Sequence, residues 1–134
     1  MDYRRLVESA KRAQKYSYSP YSSMKVGAAI LTDDGNIYTG CNIENSSFGL
    51  TICAERTAIF KAISEGKRKF GAIAISSEGA SPVPPCGACR QVLHDLTGDI
   101  DIVLTDKKNR IIVMRLSSLY PYPFENKSLY TNKK

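Results

Sequence analysis

The spacing of apolar and polar residues along the chain predicts three main helices. Residues 2–16 carry apolar side chains at helical intervals, and Asp2 is placed to cap the helix N-terminus. The apolar stripe consists of Tyr3, Leu6, Val7, Ala10 and Ala13. Residues 53–65 and 88–96 repeat the helical period, and Gly66 suits the C-terminus of the second helix.

The remaining apolar segments predict strands. The segment 70–77 is almost continuously apolar, which is typical of a central strand covered on both faces. The other predicted strands are 25–32 and 37–44, joined by an Asp-Asp-Gly-Asn turn, and 101–106 and 110–116. The last connection is too short for a parallel crossover, so that pair should be antiparallel. Helices alternating with five strands predict an α/β fold, a three-layer α/β/α sandwich with a five-stranded mixed sheet.

Composition narrows the possible classes of protein. The 134 residues are enough for a single domain, 1–134, in which 117–119 forms a helical turn and 126–134 a frayed tail. The net charge of +6 is scattered along the chain and has no interleaved aromatic residues, which argues against a nucleic-acid partner. No apolar run reaches membrane-spanning length and no leader pattern opens the chain, so we expect a cytoplasmic protein without a membrane partner.

A split cysteine motif carries the candidate chemistry. It consists of Cys53-Ala54-Glu55-Arg56 and Pro85-Cys86-Gly87-Ala88-Cys89. Cys86 and Cys89 are three residues apart at a predicted helix start, so both sulfur atoms can reach one metal ion. Three thiols with an open fourth position and a nearby carboxylate form the ligand set of a catalytic zinc site. The sequence therefore predicts one Zn²⁺ per chain, held by Cys53, Cys86 and Cys89.

Helix termini and arginines should adjust the charge of this site. Both predicted cysteine groups open helices, where the partial positive charge favours the thiolate form. Arg56 and Arg90 each adjoin a ligand and could donate hydrogen bonds to sulfur. Glu55 projects away from Cys53, which suits a group that holds the zinc-bound water and moves protons.

Two other interpretations of the cysteines are open. Cys41 could complete a closed, structural four-sulfur site, although its separation from Cys53 is unlike the close pairing of structural ligands. Disulfides are a second alternative, which the expected cytoplasmic location disfavours. The only histidine, His94, is interpreted as a helix-surface residue and not as a ligand.

The motif closely resembles that of the zinc-dependent cytidine deaminases, in their small homotetrameric form. Further stretches that match the family are Pro20-Tyr21-Ser22, Val26-Gly27-Ala28-Ala29, Gly40-Cys41-Asn42-Ile43-Glu44-Asn45 and Glu55-Arg56-Thr57-Ala58. The resemblance extends from the first helix to about Phe124. It implies a hydrolase of pyrimidine salvage that converts cytidine and 2′-deoxycytidine to the uridines and ammonia, with Glu55 as proton carrier between the attacking water, N3 of the base and the departing amine.

The resemblance also implies a set of substrate-binding residues. They are Asn42, Glu44, Ala54, Met24, Phe48 and Phe124. Asn42 and Glu44 would bind the ribose hydroxyls, whereas the strand pattern alone would favour a solvent-facing edge for them. Phe124 would reach a neighbouring subunit's site and stack on the base. Met24 stands where many family members carry phenylalanine.

Three other functions fit parts of the pattern. A deaminase of blasticidin-like antibiotics also uses Cys-Ala-Glu. A polynucleotide deaminase is disfavoured by the short connection between the last two strands, where the nucleic-acid enzymes place a helix. A non-catalytic zinc module would have no need for the carboxylate of Glu55.

Overall fold

The computed structural model describes residues 2–129, and its elements follow the order that the sequence predicts. The helices are α1 (Arg4–Gln14), α2 (Ala54–Ser64), α3 (Gly87–Thr97) and α4 (Leu116–Leu119). The strands are β1 (Val26–Thr32), β2 (Ile37–Cys41), β3 (Phe70–Ser77), β4 (Asp101–Thr105) and β5 (Ile111–Arg115). Short 3₁₀ turns occupy Phe48–Leu50 and Asn126–Ser128.

The strands form one mixed sheet in the order β2-β1-β3-β4-β5. β3 and β4 are parallel and joined through α3, whereas every other neighbouring pair is antiparallel. The antiparallel arrangement of β4 and β5 and the central place of β3 are both confirmed. Because α3 crosses from β3 to β4, its N-terminus lies at the carboxyl end of β3, the usual position of sites in α/β folds.

Helices cover both faces of the sheet, as the predicted three-layer sandwich requires. On one face α1 places Leu6, Val7 and Ala10 against alanines and Val103 of the sheet. On the other face α2 and α3 bury Ala58, Ile59, Ala62 and Leu93 against Ile30, Ile73, Ile75 and Ile102. The sheet is therefore buried on both sides at its centre, which accounts for the near-continuous apolar run of β3.

Two glycines let the helices approach the sheet closely. A Cβ on Gly27 would lie 2.1 Å from Ala10 O of α1. A Cβ on Gly40 would lie 2.5 Å from Ala58 N and 2.8 Å from Ala54 O of α2. Gly40 therefore fixes how closely the helix that follows Cys53 packs on the edge of the sheet.

Several element boundaries differ from the sequence prediction. The N-cap of α1 is Tyr3 and not Asp2, although the Asp2 carboxylate accepts a hydrogen bond from Arg4 N at 2.9 Å. β2 ends at Cys41, because the following residues turn to other partners: Ile43 forms isolated bridges with Tyr18 and Ile52. Gly66 does end α2, with φ +94°.

The end of the chain is only partly described. The predicted frayed tail 126–134 begins with a 3₁₀ turn at Asn126–Ser128, and residues 130–134 lie outside the described part. Within residues 2–129, none of the helices is both long and apolar enough to cross a membrane.

Candidate metal centre and active-site cleft

The folded chain brings three of its four cysteines together at two helix N-termini. Cys53 is the N-cap of α2 and Cys86 the N-cap of α3, while Cys89 is buried in the first turn of α3. The sulfur atoms of all three lie within 4.8 Å of one another, and those of Cys53 and Cys86 are 3.8 Å apart. Two sulfurs bound tetrahedrally to zinc at about 2.3 Å would be separated by about the same distance. The donor set and its spacing therefore fit a zinc ion.

Cys41 stands apart from this cluster. It lies on β2 and lines a depression of about 450 Å³ that residues of α1 and α2 also line. None of the three clustered thiols lines this depression. All four cysteines are free thiols. The closed four-sulfur site and the disulfides considered from the sequence are therefore both absent among the described residues.

Hydrogen bonds concentrate negative charge on Cys53. The Cys89 thiol, and after it the Arg56 guanidinium, lower the pKa of Cys53 to about 5. The pKa of Cys89 is raised, because its proton is shared with Cys53 and its sulfur is buried. A metal ion bound here would displace the remaining thiol protons, since zinc binds the thiolate.

The two arginines beside the cluster have different contacts. Arg56 Nη2 lies 3.4 Å from Cys53 Sγ as a hydrogen-bond donor, as the sequence predicted, and Arg56 Nε is buried without a partner in the described structure. Arg90 differs from the prediction, because its Nε donates to Pro85 O at 2.8 Å and its Nη1 to Leu119 O at 2.7 Å. Arg90 therefore ties the segment before Cys86 to the C-terminal region instead of donating to sulfur.

Glu55 is the buried carboxyl group beside the thiols. It lies in the first turn of α2, is 5% exposed, and is not itself a member of the three-thiol cluster. Burial raises the pKa of Glu55 to about 7. A carboxyl group with a pKa near neutrality can both accept and return a proton at physiological pH.

These groups open onto a cleft of about 200 Å³. Its lining includes Cys53 and Cys86 of the thiol cluster, the buried Glu55, and also Ala54 and Pro84. The remaining lining residues are Val26, Asn42, Thr51, Ile52, Ile75 and Val83. The cleft is thus mostly apolar with few polar groups, as is usual where a small organic ligand binds.

Asn42 lines this cleft and also holds the neighbouring loop. Its Oδ1 accepts hydrogen bonds from Ser17 Oγ and, at 3.0 Å, from Val26 N, and its Nδ2 donates to Met24 O at 2.8 Å. The family resemblance implied a substrate contact for Asn42, but neither the resemblance nor the strand pattern indicated that Asn42 also holds this loop. Its contacts with Ser17 and Met24 connect residues far apart in the chain, so the strand pattern gave no signal of them.

Glu44 lies outside the cleft lining and is bound to the loop 20–22. Its carboxylate accepts hydrogen bonds from Tyr21 N at 3.0 Å, from Ser22 N at 3.1 Å and from Ser22 Oγ. These bonds, led by that of the Ser22 hydroxyl, lower the pKa of Glu44. Since β2 ends at Cys41, Asn42 and Glu44 do not continue a regular strand as predicted.

The three predicted pocket residues with large side chains do not line the cleft of their own chain. Met24 is 47% exposed, Phe48 74% and Phe124 55%. The Phe48 ring contacts Tyr21 edge-on with 5.9 Å between ring centroids. Phe124 lies beside α3, where Gln91 Nε2 donates to its carbonyl at 3.1 Å.

Sequence reasoning also missed part of the cleft and one side-chain pair. The cleft residues that were not predicted as such are Thr51, Ile52, Val26, Ile75 and Val83. The first two immediately precede the ligand Cys53 and could have been inferred from that position. His94 is not simply a surface residue, because its Nε2 lies 2.9 Å from Glu125 Oε2.

The chain is similar in sequence and in structure to cytidine deaminases. The family model for the cytidine and deoxycytidylate deaminase zinc-binding region matches residues 1–105. A cytidine deaminase from Sporosarcina psychrophila is 46% identical over 130 residues, 96% of this chain and 96% of that protein. A cytidine deaminase from Halalkalibacterium halodurans is 48% identical over 125 residues, 92% of this chain and 95% of that protein. The crystal structure of a cytidine deaminase from Burkholderia pseudomallei has a TM-score of 0.88 at 46% identity, covering 92% of this chain and 100% of that one.

Proposed function

The chain belongs to the cytidine and deoxycytidylate deaminase family, and we propose that it hydrolyses cytidine and 2′-deoxycytidine to the corresponding uridines with release of ammonia. The observation that carries this proposal is the buried carboxyl group of Glu55, which lines a mostly apolar cleft together with two of the three clustered thiols. A zinc module that only maintains structure would need neither the cleft nor the buried acid.

Cys53, Cys86 and Cys89 would hold the zinc ion of this family, one per chain. When bound, zinc acts as a Lewis acid that makes a water molecule acidic at neutral pH. Glu55 takes the proton of the attacking water and passes it to N3 of the base, which makes C4 more electrophilic. After the oxygen of the water has added to C4, Glu55 takes the remaining proton of that hydroxyl group and gives it to the leaving amine, so that one carboxyl group serves as base and as acid.

The cleft residues supply binding and orientation. The backbone at Ala54 and the Pro84-Pro85 turn would contact the base, and the apolar wall excludes water. Asn42 has one amide hydrogen beyond its three structural contacts, and it would donate this hydrogen to a ribose hydroxyl. Glu44 would accept from a second hydroxyl with the lone pairs that its loop contacts leave.

The exposed aromatic residues support a shared site in a homotetramer. Phe124 and Phe48 are each more than half exposed and lie outside their own cleft, which suits contact with a neighbouring subunit. Met24 would flank the base as a flexible thioether in place of an aromatic ring. We place the enzyme in pyrimidine salvage in the cytoplasm, acting on free nucleosides and not on nucleic acid.

The first test measures uridine and ammonia release from cytidine together with the zinc content of the same sample. We expect turnover with about one zinc per chain, the content of a mononuclear site. Glu55→Gln should keep the zinc and lose at least ~10²-fold in kcat, the lower range for a lost acid-base group. Glu65→Gln, at the exposed end of the same helix, is the matched control. Full zinc without turnover would redirect the proposal to an antibiotic or modified nucleoside.

Mixed oligomers test the shared site. Phe124→Ala and Glu55→Gln should each be weakly active alone, but co-refolded chains should recover activity, since some sites then combine an intact Glu55 with a partner's intact Phe124. The absence of any recovery, with mixed oligomers verified by mass spectrometry, would place Phe124 outside the neighbouring site.

A further inference from the structure

The loop 78–85 forms part of the cleft but is not held by backbone hydrogen bonds. It contributes Val83 and Pro84 to the cleft wall and leads directly into the ligand Cys86. Within residues 2–129, no backbone-to-backbone hydrogen bond outside regular elements involves residues 78–85. Three of its residues are prolines, which lack the N–H donor. The position of this wall therefore depends on hydrogen bonds in which one partner is a side chain.

Arg110 supplies one of those contacts. Its Nη2 donates to Ala80 O in the middle of the loop at 2.6 Å. The other tethers lie at the two ends of the loop, where Lys25 N donates to Glu78 Oε1 at 3.2 Å and Arg90 Nε donates to Pro85 O at 2.8 Å. Among these hydrogen bonds, the one from Arg110 to Ala80 is thus nearest to the centre of the loop.

Asp106 fixes the direction of the Arg110 side chain. Asp106 is fully buried, and its Oδ2 accepts a hydrogen bond from Arg110 Nε at 2.8 Å and forms an ion pair with Arg110 Nη2 at 2.7 Å. Its Oδ1 accepts from Lys108 N at 2.9 Å and from Arg110 N at 3.2 Å. The carboxylate is held by the turn between β4 and β5, so the guanidinium has one preferred orientation, towards the loop.

We propose that Arg110, oriented by Asp106, is a positioning residue of the deaminase site that holds the loop 78–85 so that Val83 and Pro84 form the wall against the substrate. The inference rests on the proposed function only for the identity of that substrate. Arg110 touches no reacting atom and acts through Ala80 O. Because the wall contacts the substrate before and during the reaction alike, its displacement should weaken binding more than it slows the chemical step.

The test compares Arg110→Gln with Arg115→Gln. Arg115 is a matched control because it also lies in the β4–β5 hairpin and also joins an aspartate and a backbone carbonyl, at Asp101 Oδ1 and Asp99 O, but has no contact with the loop. We expect Arg110→Gln to raise KM for cytidine roughly tenfold, the scale of one charge-assisted hydrogen bond, with kcat and zinc content nearly unchanged. Arg115→Gln should lower thermal stability while leaving KM unchanged.

Limited proteolysis gives a readout that does not depend on turnover. Proteinase K should cut Arg110→Gln between residues 78 and 84, as located by mass spectrometry, well before it cuts the wild-type protein or Arg115→Gln. Since Arg110→Gln leaves a buried carboxylate without its cation, the double variant D106N/R110Q, neutral at both positions, is used if the single variant does not fold. It should show the same rise in KM and the same cleavage.

Three results would overturn the proposal: an unchanged KM in folded variants, equal effects of the two arginine substitutions, or loss of zinc as the main consequence. If the wild-type protein does not deaminate cytidine, the proposed function fails separately. The cleavage pattern then still decides whether Arg110 holds the loop.

Discussion

Arg56 lies one helical turn after Cys53, and its Nη2 donates to the Cys53 sulfur over 3.4 Å. This contact matters because three thiolates on one divalent zinc leave a net negative charge, which opposes the ionisation of a bound water. The N-termini of α2 and α3 would offset part of that negative charge, and the Arg56 guanidinium would offset a further part. We therefore infer that Arg56, on the same helix that begins at the ligand Cys53, adjusts the charge of the metal centre.

Arg56→Gln should weaken both zinc binding and activity, each by ~10–100-fold, the range for loss of a hydrogen-bonding neighbour of a metal ligand. Zinc affinity is measured by competition with a chromophoric chelator, and activity as kcat/KM for cytidine. Arg68→Gln is the control, because Arg68 donates to Ile63 O and Lys67 O near the far end of the same helix. Unchanged zinc affinity in folded Arg56→Gln would show that the helix termini suffice.

The sequence predicted those parts of the site that depend on local spacing. Cys86 and Cys89 share one helical turn, so their convergence follows from helix geometry alone. The antiparallel pairing of β4 and β5 followed in the same way from a connection too short for a crossover. Cys53 reaches the other two thiols only through the fold, and it was assigned to them by the split motif and the family resemblance.

Contacts between distant residues were less accessible to sequence reasoning. The donors of Arg90 reach Pro85 and Leu119, and the sequence pattern does not distinguish these carbonyls from the nearby sulfurs. The link from Arg110 to Ala80 likewise joins two loops whose proximity depends on the parallel pairing of β3 and β4. Such contacts arise from tertiary packing, which local periodicity does not encode.

The separate location of Cys41 predicts that it is dispensable for metal binding. Cys41→Ala should retain about one zinc per chain and nearly full activity, whereas Cys89→Ala should lose both, since a site with two sulfurs lacks the ligand count for tight binding. Zinc is measured by elemental analysis after dialysis, and folding by circular dichroism. Loss of zinc from Cys41→Ala alone would revive a four-sulfur site.

The two close-approach glycines allow stability to be separated from function. Gly40→Ala and Gly27→Ala each place a Cβ less than 3 Å from a helix backbone, on opposite faces of the sheet. Each should destabilise the protein by ~1–3 kcal/mol, as overpacking does. Only Gly40→Ala displaces α2, so it should also reduce zinc affinity, while Gly27→Ala displaces α1 and should leave zinc affinity unchanged.

Chemical denaturation and chelator competition measure these two properties on the same samples. Gly71→Ala is the neutral control, because no heavy atom of the rest of the structure lies within 4 Å of the added Cβ. Equal losses of zinc affinity in Gly40→Ala and Gly27→Ala would mean that the metal centre responds to global stability and not to the position of α2.

The hydrogen bonds of Asp101 should make the free energy of unfolding depend on pH. The Tyr3 hydroxyl, which lies 2.6 Å from Asp101 Oδ2, and the Arg115 guanidinium lower the pKa of Asp101 below its ordinary value of 3.8. The unfolded chain therefore takes up this proton at a higher pH than the folded protein. The stabilisation that follows is complete well above pH 4 and is lost as the pH falls through the lowered pKa.

Asp101→Asn should accordingly lower the melting temperature at pH 7, and the difference from the wild type should shrink as the pH is taken from 5 towards 2. Asp95→Asn is the control, because Asp95 is exposed and forms no ion pair among residues 2–129. Its melting curve should follow that of the wild type at every pH. If the melting temperature of Asp101→Asn stayed below that of the wild type by the same amount down to pH 2, the prediction would be wrong. The contribution of Asp101 to stability would then not depend on ionisation of its carboxylate.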